Sequence, residues 1–235
     1  MVAIADAVAA TRRSPKRIML SLDEWNVWYK ARTHSDLRKP GWPEHPPLIE
    51  EVYNTEDALL IGGALITLLN NADRVKCACL AQLVNIIGPI MTEPGGPAWR
   101  QTIFHPFALT ARHAHGRVLR TLATSPSYAG KTAPEIPYLH ACVTEDETTG
   151  QVVVFALNRH LSEPMDLDVL LRGFGGGRRI LEALQIHHPN MKAVNTKDAQ
   201  TEVAPAPIQS AAIAGDRLTA RLMPGSWNVI VTGPA

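Results

Sequence analysis

The sequence predicts two fold classes in succession, an α/β region followed by an antiparallel β-sandwich. Up to about residue 115, apolar runs typical of buried strands alternate with a strong helical period. From residue 116 onward, short runs with alternating apolar residues are separated by turn residues. These patterns divide the 235 residues into two predicted domains, 1–115 and 116–235.

The α/β region is predicted to begin with a short helix, "VAIADAVAATRR", and a strand, "RIMLSL", over residues 17–22. This strand carries apolar residues on both faces, which is typical of a buried parallel strand. The segment 33–54 that follows contains four prolines and one glycine. Those residues exclude regular structure across its middle.

A strong helix is predicted over roughly residues 55–71. Asn54 is a suitable N-cap, and Asp57 occupies the capping-box position three residues later. One apolar face, expected to contact the core, is formed by Ile61, Leu65, Leu68 and Leu69. Gly62 and Gly63 each cost about 1 kcal/mol relative to alanine, so we expect a close neighbour at this helix.

A second two-sided apolar strand is predicted within residues 72–88, ending near Gln82 to Asn85. Cys77 and Cys79 alternate within it and are therefore predicted to be buried small hydrophobic residues. They lack the spacing of zinc ligands, and a disulfide framework is not expected. The order strand, helix, strand predicts a parallel sheet with helical crossovers.

The sandwich region is predicted from its alternating runs, such as "PYLHACVTEDETTGQVVVFALNRH". Within that run, "EDETTG" at residues 145–150 joins two strands as a hairpin. The spacing of turn residues is typical of an antiparallel β-sandwich.

The composition argues against several classes of function. A net charge of +1 provides no basic excess for nucleic acid or a membrane surface. The longest largely apolar run, residues 58–69, is shorter than the approximately 20 residues of a bilayer span. The three cysteines and the unconvincing signal sequence favour a reducing, cytoplasmic location.

The stretch "LSLDEWNVWYK", residues 20–30, carries the strongest functional signal. Strand alternation places Glu24 with Leu20 and Leu22, and places Asp23 with Ser21 and Trp25 on the other face. The adjacent acids are therefore not expected to form a carboxylate pair. A carboxylate at the end of a parallel strand is either an ordinary loop acid or a catalytic acid of an α/β barrel.

Aromatic residues favour the catalytic interpretation. Trp25, Trp28 and Tyr29 follow the acids closely and are predicted to form a platform of the kind on which sugar rings stack. For each aromatic residue taken singly, the alternative is a place in the hydrophobic core.

"LSLDEWNVWY" closely resembles the nucleophile segment of the family 51 α-L-arabinofuranosidases. The stretch from "YNTEDALLIGG" to "WRQTIFHPF", residues 53–107, resembles the segment that follows in that family. The closing "MPGSWNVI" resembles the sandwich domain of the family more weakly. The resemblance implies the last two units of a (β/α)8 barrel followed by a jelly-roll-like sandwich. It also implies a retaining hydrolase that releases terminal α-L-arabinofuranosyl groups from arabinan and arabinoxylan-type oligosaccharides.

The same resemblance assigns residues. Glu24 matches the nucleophile, Trp28 would line the arabinose pocket, and Gln82 matches a glutamine that hydrogen-bonds the sugar. Asp23 is expected to orient its neighbours. No cofactor or metal is implied, so His105, His113 and His115 are expected to be ordinary structural histidines. Members of the family are often homohexameric.

The sequence departs from the family pattern in one respect. The acid/base glutamate of the family lies in an Asn-Glu-Pro motif, which does not occur in these 235 residues. "TEP" at 92–94 and "SEP" at 162–164 lie in the wrong places to replace it. We therefore expect either a truncated gene product or one piece of a split enzyme whose partner is an upstream barrel half. In both cases activity of the isolated chain is expected to be low. A non-catalytic carbohydrate-binding protein and a purely structural remnant are the alternatives.

Overall fold

The computed structural model describes residues 1–29 and 49–235. Most of the predicted loop over residues 33–54 lies outside the described residues. The first part of the chain contains α1 (Val2–Thr11), β1 (Leu20–Trp25), α2 (Thr55–Asn70), β2 (Val75–Leu80), β3 (Ile90–Thr92), β4 (Ala98–Arg100) and α3 (Phe104–His113). The second part contains β5 (Arg117–Leu119), β6 (Ser127–Tyr128), β7 (Ile136–Pro137), β8 (Leu139–Asp146), β9 (Gln151–Asn158), β10 (Met165–Leu170), β11 (Arg178–His187), β12 (Ala206–Pro207), β13 (Ala212–Ala214), β14 (Arg217–Leu222) and β15 (Ser226–Pro234).

Strands β1 and β2 pair in parallel, and α2 lies between them in the sequence, as predicted. The prediction that these strands are buried is wrong. Four of the six residues of β1 and three of the six residues of β2 are exposed, because each strand has only the other as a sheet neighbour among the described residues. Cys77 and Cys79 are accordingly exposed rather than buried.

Helix α2 begins with the predicted capping box. The Asn54 side-chain oxygen accepts a 3.1 Å hydrogen bond from the Asp57 amide, and the Asp57 carboxylate accepts one of 2.9 Å from the Asn54 amide. The two bonds satisfy amide groups that the first turn of a helix leaves without intrahelical partners. Ile61 and Leu65 are buried on the predicted apolar face.

Most of the second part forms antiparallel sheets. One sheet has six strands in the order β12-β11-β15-β9-β8-β5, and another has three in the order β10-β14-β13. The predicted hairpin is present, with Asp146 opposite Gln151 where β8 turns into β9. The fold is thus mostly β-sheet, and the sheets pack as a sandwich with few helices.

The six-stranded sheet is covered on both faces. On one face Val154 and Ile230 pack against the three-stranded sheet, which contributes Leu218 to the same cluster. On the other face Phe155 and Trp227 pack with residues of α2 and α3. Double coverage explains why the β9 sequence, "QVVVFALN", is almost continuously apolar instead of alternating.

Gly62 allows α2 to approach this sheet closely. A Cβ atom at Gly62 would lie 2.3 Å from Cδ1 of Trp227, and one at Gly63 would lie 3.1 Å from Cδ2 of Leu157. The close neighbour expected at these glycines is therefore the sheet. Across the described part of the chain, no helix combines the length and apolar character needed to cross a bilayer.

Candidate active site at the ends of strands β1 and β2

The parallel pairing of β1 and β2 brings their carboxyl ends to one edge. Trp25 pairs with Leu80 at the last step of the ladder. Glu24 precedes Trp25, and Gln82 follows Leu80 by two residues; both side chains are exposed. Two of the three candidate site residues therefore lie at the same sheet edge.

Asn26 joins the segments that leave the two strands. Its side-chain amide donates a 2.6 Å hydrogen bond to the carbonyl oxygen of Ala81 and a second hydrogen bond to that of Ile87. The amide of Ala81 also donates to the carbonyl oxygen of Trp25 at 3.0 Å. Sequence reasoning gave Asn26 no role, because an asparagine after a strand signals only a turn.

The three aromatic residues differ in their surroundings. Trp25 packs into a cluster whose buried members include Tyr53 and Ile61. The Tyr29 hydroxyl donates a hydrogen bond to the Asp57 carboxylate at the start of α2. Trp28 is 47% exposed. Of the three, only Trp28 is exposed, whereas Trp25 is partly buried against this cluster.

Asp23 interacts with Ser21, whose hydroxyl donates a hydrogen bond to the carboxylate. These two residues share one face of β1, as predicted. The ladder is irregular between Leu22 and Trp25, because three steps on β1 match two steps on β2. The strict alternation predicted through Trp25 is therefore wrong at its end, and Trp25 turns toward α2.

Two buried polar side chains, those of Glu51 and Gln101, form hydrogen bonds with backbone groups of the segments near this edge. Glu51 is fully buried, and its carboxylate accepts a 3.0 Å hydrogen bond from the Tyr29 amide. The side-chain amide of Gln101 donates to the carbonyl oxygens of Glu51 and Gly88, and its oxygen accepts from the Tyr53 amide. Neither Glu51 nor Gln101 was identified from the sequence, because neither belongs to a motif or a periodic pattern.

The histidines lie in separate environments. Burial, with a smaller effect of Arg100, lowers the pKa of His105 to about 4. His113 lies 2.8 Å from a carboxylate oxygen of Glu182, and the Nε2 atom of His115 is 2.9 Å from the carbonyl oxygen of Arg112. Over residues 1–29 and 49–235, no group of three or more His, Cys, Asp or Glu residues is arranged to hold a metal ion.

Comparison with known proteins points to a single family. The protein-family model of the α-L-arabinofuranosidase C-terminal domain matches residues 23–226. An intracellular exo-α-(1→5)-L-arabinofuranosidase from Halalkalibacterium halodurans is 47% identical over 99% of this chain, which covers 46% of that protein. A Bacillus subtilis enzyme of the same description is 43% identical over 98% of the chain, which covers 45% of it.

A solved structure agrees with the sequence relatives. A family 51 α-L-arabinofuranosidase from Bifidobacterium longum superimposes with a TM-score of 0.89 at 36% identity, covering 98% of this chain and 45% of the other. The chain therefore spans about half the length of the relatives that it matches. From the extent of the domain match and the identity to these enzymes, the chain belongs to the family 51 α-L-arabinofuranosidases.

Proposed function

We propose that this chain carries the nucleophile side of a retaining α-L-arabinofuranosidase site. Its substrates would be arabinan- and arabinoxylan-type oligosaccharides with terminal α-L-arabinofuranosyl groups. The observation that carries the proposal is the shared edge of β1 and β2, where Glu24 and Gln82 are both exposed and Asn26 joins the two strand ends. The relatives are named intracellular, which supports a cytoplasmic location.

Each residue at the edge has a proposed role. Glu24, as a carboxylate, attacks the anomeric carbon and forms a covalent glycosyl-enzyme. Gln82 hydrogen-bonds the sugar, and Trp28 lines the arabinose pocket with its exposed ring. Asp23 is held by Ser21 and orients its neighbours.

A retaining mechanism also needs a second carboxyl group about 5 Å from the first to protonate the leaving group. The 235 residues contain no Asn-Glu-Pro motif to supply it. We therefore propose that β1, α2 and β2 are barrel units that need a complementary barrel half, and that the chain by itself has little activity toward natural linkages.

A dinitrophenyl α-L-arabinofuranoside tests the nucleophile directly, because its leaving group departs without protonation. After incubation with the chain alone, we expect a glycosyl ester on Glu24, detected by intact-mass and peptide mass spectrometry. The ester should be absent from Glu24→Gln and present in Asp73→Asn, which replaces an exposed carboxylate away from the carboxyl ends of β1 and β2 and serves as the matched control. An adduct that persists in Glu24→Gln would contradict the assignment, as would the absence of both adduct and turnover.

The exposed ring of Trp28 also supports a second candidate, a non-catalytic carbohydrate-binding protein. That function predicts affinity for arabino-oligosaccharides that survives Glu24→Gln and is lost in Trp28→Ala, with no covalent adduct. Isothermal titration of both variants, combined with the labelling experiment, separates the two functions.

A further inference from the structure

A loop of the β-sandwich reaches across to the first part of the chain. It connects β11 to β12, which pair antiparallel in the six-stranded sheet, so both ends of the loop are fixed to that sheet. We call residues 191–203 of this loop the strap. The strap contacts the start of α2 and the β3–β4 hairpin, which follows the segment that carries Gln82. It therefore links the sandwich to elements that border the candidate active site.

The strap supplies part of the N-terminal cap of α2. The Thr55 amide donates a 3.0 Å hydrogen bond to the carbonyl oxygen of Ala193, and the Glu56 amide donates one of 3.1 Å to that of Met191. Both amides belong to the first turn, where a helix offers its amide groups no intrahelical acceptors. The strap and the capping box together fix the position at which α2 begins.

Asn195 connects the strap to the end of the β3–β4 hairpin. This buried residue donates a 3.1 Å hydrogen bond from its side-chain amide to the carbonyl oxygen of Arg100. The same side chain exchanges hydrogen bonds with Val203, donating to its carbonyl oxygen at 2.9 Å and accepting from its amide at 2.8 Å. The bonds to Val203 hold the side chain in the orientation that reaches Arg100.

Gln101, the residue after Arg100, extends this connection toward the end of β1. Its side-chain amide donates a 2.9 Å hydrogen bond to the carbonyl oxygen of Glu51. The Glu51 carboxylate accepts a 3.0 Å hydrogen bond from the amide of Tyr29, which follows Trp28. The sandwich is thus connected to the backbone beside Trp28 through buried side chains.

The same Gln101 side chain reaches the segment after β2. It donates a 2.8 Å hydrogen bond to the carbonyl oxygen of Gly88. The preceding residue, Ile87, accepts a 3.1 Å hydrogen bond from the Gln82 amide. One glutamine, held next to the hairpin end that Asn195 binds, therefore contacts the segments that carry both proposed sugar-binding residues.

An ion pair adds an exposed contact to the strap. The Lys197 ammonium group lies 3.0 and 3.1 Å from the carboxylate oxygens of Glu93, directly after β3. The neighbouring Thr92 amide donates a 2.8 Å hydrogen bond to the side-chain oxygen of Asn85, three residues after Gln82. The ion pair therefore ties the strap to a hairpin that also contacts the segment after β2.

We propose that the strap positions the candidate active site, with Asn195 as a positioning residue that acts through Arg100 and Gln101. The inference rests on the proposed function of Glu24, Trp28 and Gln82. The contacts that carry it are made entirely within this chain, independent of what covers the exposed faces of β1 and β2. Displacement of a sugar-binding group by about 1 Å can slow a reaction about 100-fold, so loss of the Asn195 bonds should reach the chemistry.

Hydrogen exchange of single amides tests the connection without using activity. In Asn195→Ala, the amides of Tyr29 and Gln82 should exchange about tenfold faster than in the parent chain, whereas the amides of β9 keep their parent rates. Gln200→Ala is the matched control, because the exposed Gln200 side chain donates to Lys197 within the strap. It should leave the exchange of both reporter amides unchanged. Faster exchange confined to the strap, or spread equally over β9, would overturn the proposal.

Lys197→Gln is a second variant at an exposed position, where a loss of folding is not expected. Removal of the ion pair should accelerate exchange of the Thr92 amide by about two- to fivefold. An unchanged rate at this amide would show that the strap does not hold the hairpin and would overturn its proposed role.

The chemical consequence is measured by the rate of ester formation on Glu24 at saturating dinitrophenyl α-L-arabinofuranoside. This rate should fall at least about tenfold in Asn195→Ala and stay within about twofold of the parent value in Gln200→Ala. Equal rates in the parent chain and Asn195→Ala would overturn the positioning role. If the parent chain itself forms no ester, the proposed function fails, and the exchange rates still decide whether the strap holds the two strand ends.

Discussion

The side-chain amide of Asn26 lies 2.6 Å from the carbonyl oxygen of Ala81 and donates a hydrogen bond to it. This bond, together with the one to Ile87, connects the segment after the β1 strand to the segment after β2. Both accepting residues are buried. The edge that carries Glu24 and Gln82 is therefore fixed by a side chain that does not belong to either strand.

Replacing Asn26 with alanine should loosen that edge. Two buried carbonyl oxygens would lose their side-chain donor, which costs about 1–3 kcal/mol of unfolding free energy. Urea denaturation measures the loss, and hydrogen exchange at the Ala81 amide should become faster. Asn70→Ala removes a comparable hydrogen bond at an exposed position and should cost less than about 1 kcal/mol. Equal losses in the two variants would contradict the assigned role.

Gly62→Ala should be strongly destabilising, whereas Gly63→Ala should be nearly neutral. The new methyl group at position 62 would overlap the Trp227 ring at 2.3 Å, and overpacking of this kind costs about 1–3 kcal/mol. At position 63 the nearest atom is the flexible end of Leu157, and the gain in helix propensity of about 1 kcal/mol offsets the crowding. Equilibrium denaturation of the two variants provides the test; a larger loss at position 63 would be inconsistent with this packing.

Asp57 has two structural roles that substitution can separate. Its carboxylate caps α2 through the Asn54 amide and accepts the hydrogen bond from the Tyr29 hydroxyl. Tyr29→Phe removes only the second interaction and should cost about 1 kcal/mol, whereas Asp57→Ala removes both and should cost about 2–3 kcal/mol. Thermal and urea unfolding of the two variants should show this order, and the reverse order would exclude the dual role.

Stability should decrease as the solution becomes acidic. The pKa of His105 is about 4, mainly because of burial, against 6.5 for an exposed histidine. The pKa of His140 is also lowered to about 4, again mainly by burial. Between about pH 4 and pH 6.5, the unfolded chain therefore binds more protons than the folded chain. The stabilising contribution is complete above about pH 6.5 and is lost as the pH falls toward 4.

Melting temperatures measured from about pH 7.5 to 4.5 should fall, with a shallower slope in His105→Gln and in His140→Gln. His115→Gln is the control, because His115 is an exposed residue on the surface. If the His105 and His140 variants kept the full slope of the parent chain, the buried histidines would not be its source.

Local signals predicted much of the fold. The capping box of α2 and the hairpin between Asp146 and Gln151 are set by residues close together in the sequence, and both are present. Burial of β1 and β2 was predicted wrongly because burial depends on what covers a strand. Cys77 and Cys79 have the pattern of core residues but are exposed on an uncovered face.

The candidate site could be predicted only in part. Glu24, Trp28 and Gln82 were selected through family resemblance, and their roles remain predictions. The groups that fix the edge, Asn26 and Gln101, make side-chain bonds to carbonyl oxygens far away in the sequence. Such bonds depend on loop geometry, for which a single sequence carries no periodic signal.

Trp227 has a consequence for how this molecule unfolds. Its ring contacts α2 at Gly62, and it belongs to the same hydrophobic cluster as Ala58 and Ile66 of that helix. Removing α2 would expose a fully buried tryptophan in the middle of the six-stranded sheet. The helix and the sheet are therefore expected to melt as one cooperative unit, and the sheet is a poor candidate for transplantation into another protein unless α2 accompanies it.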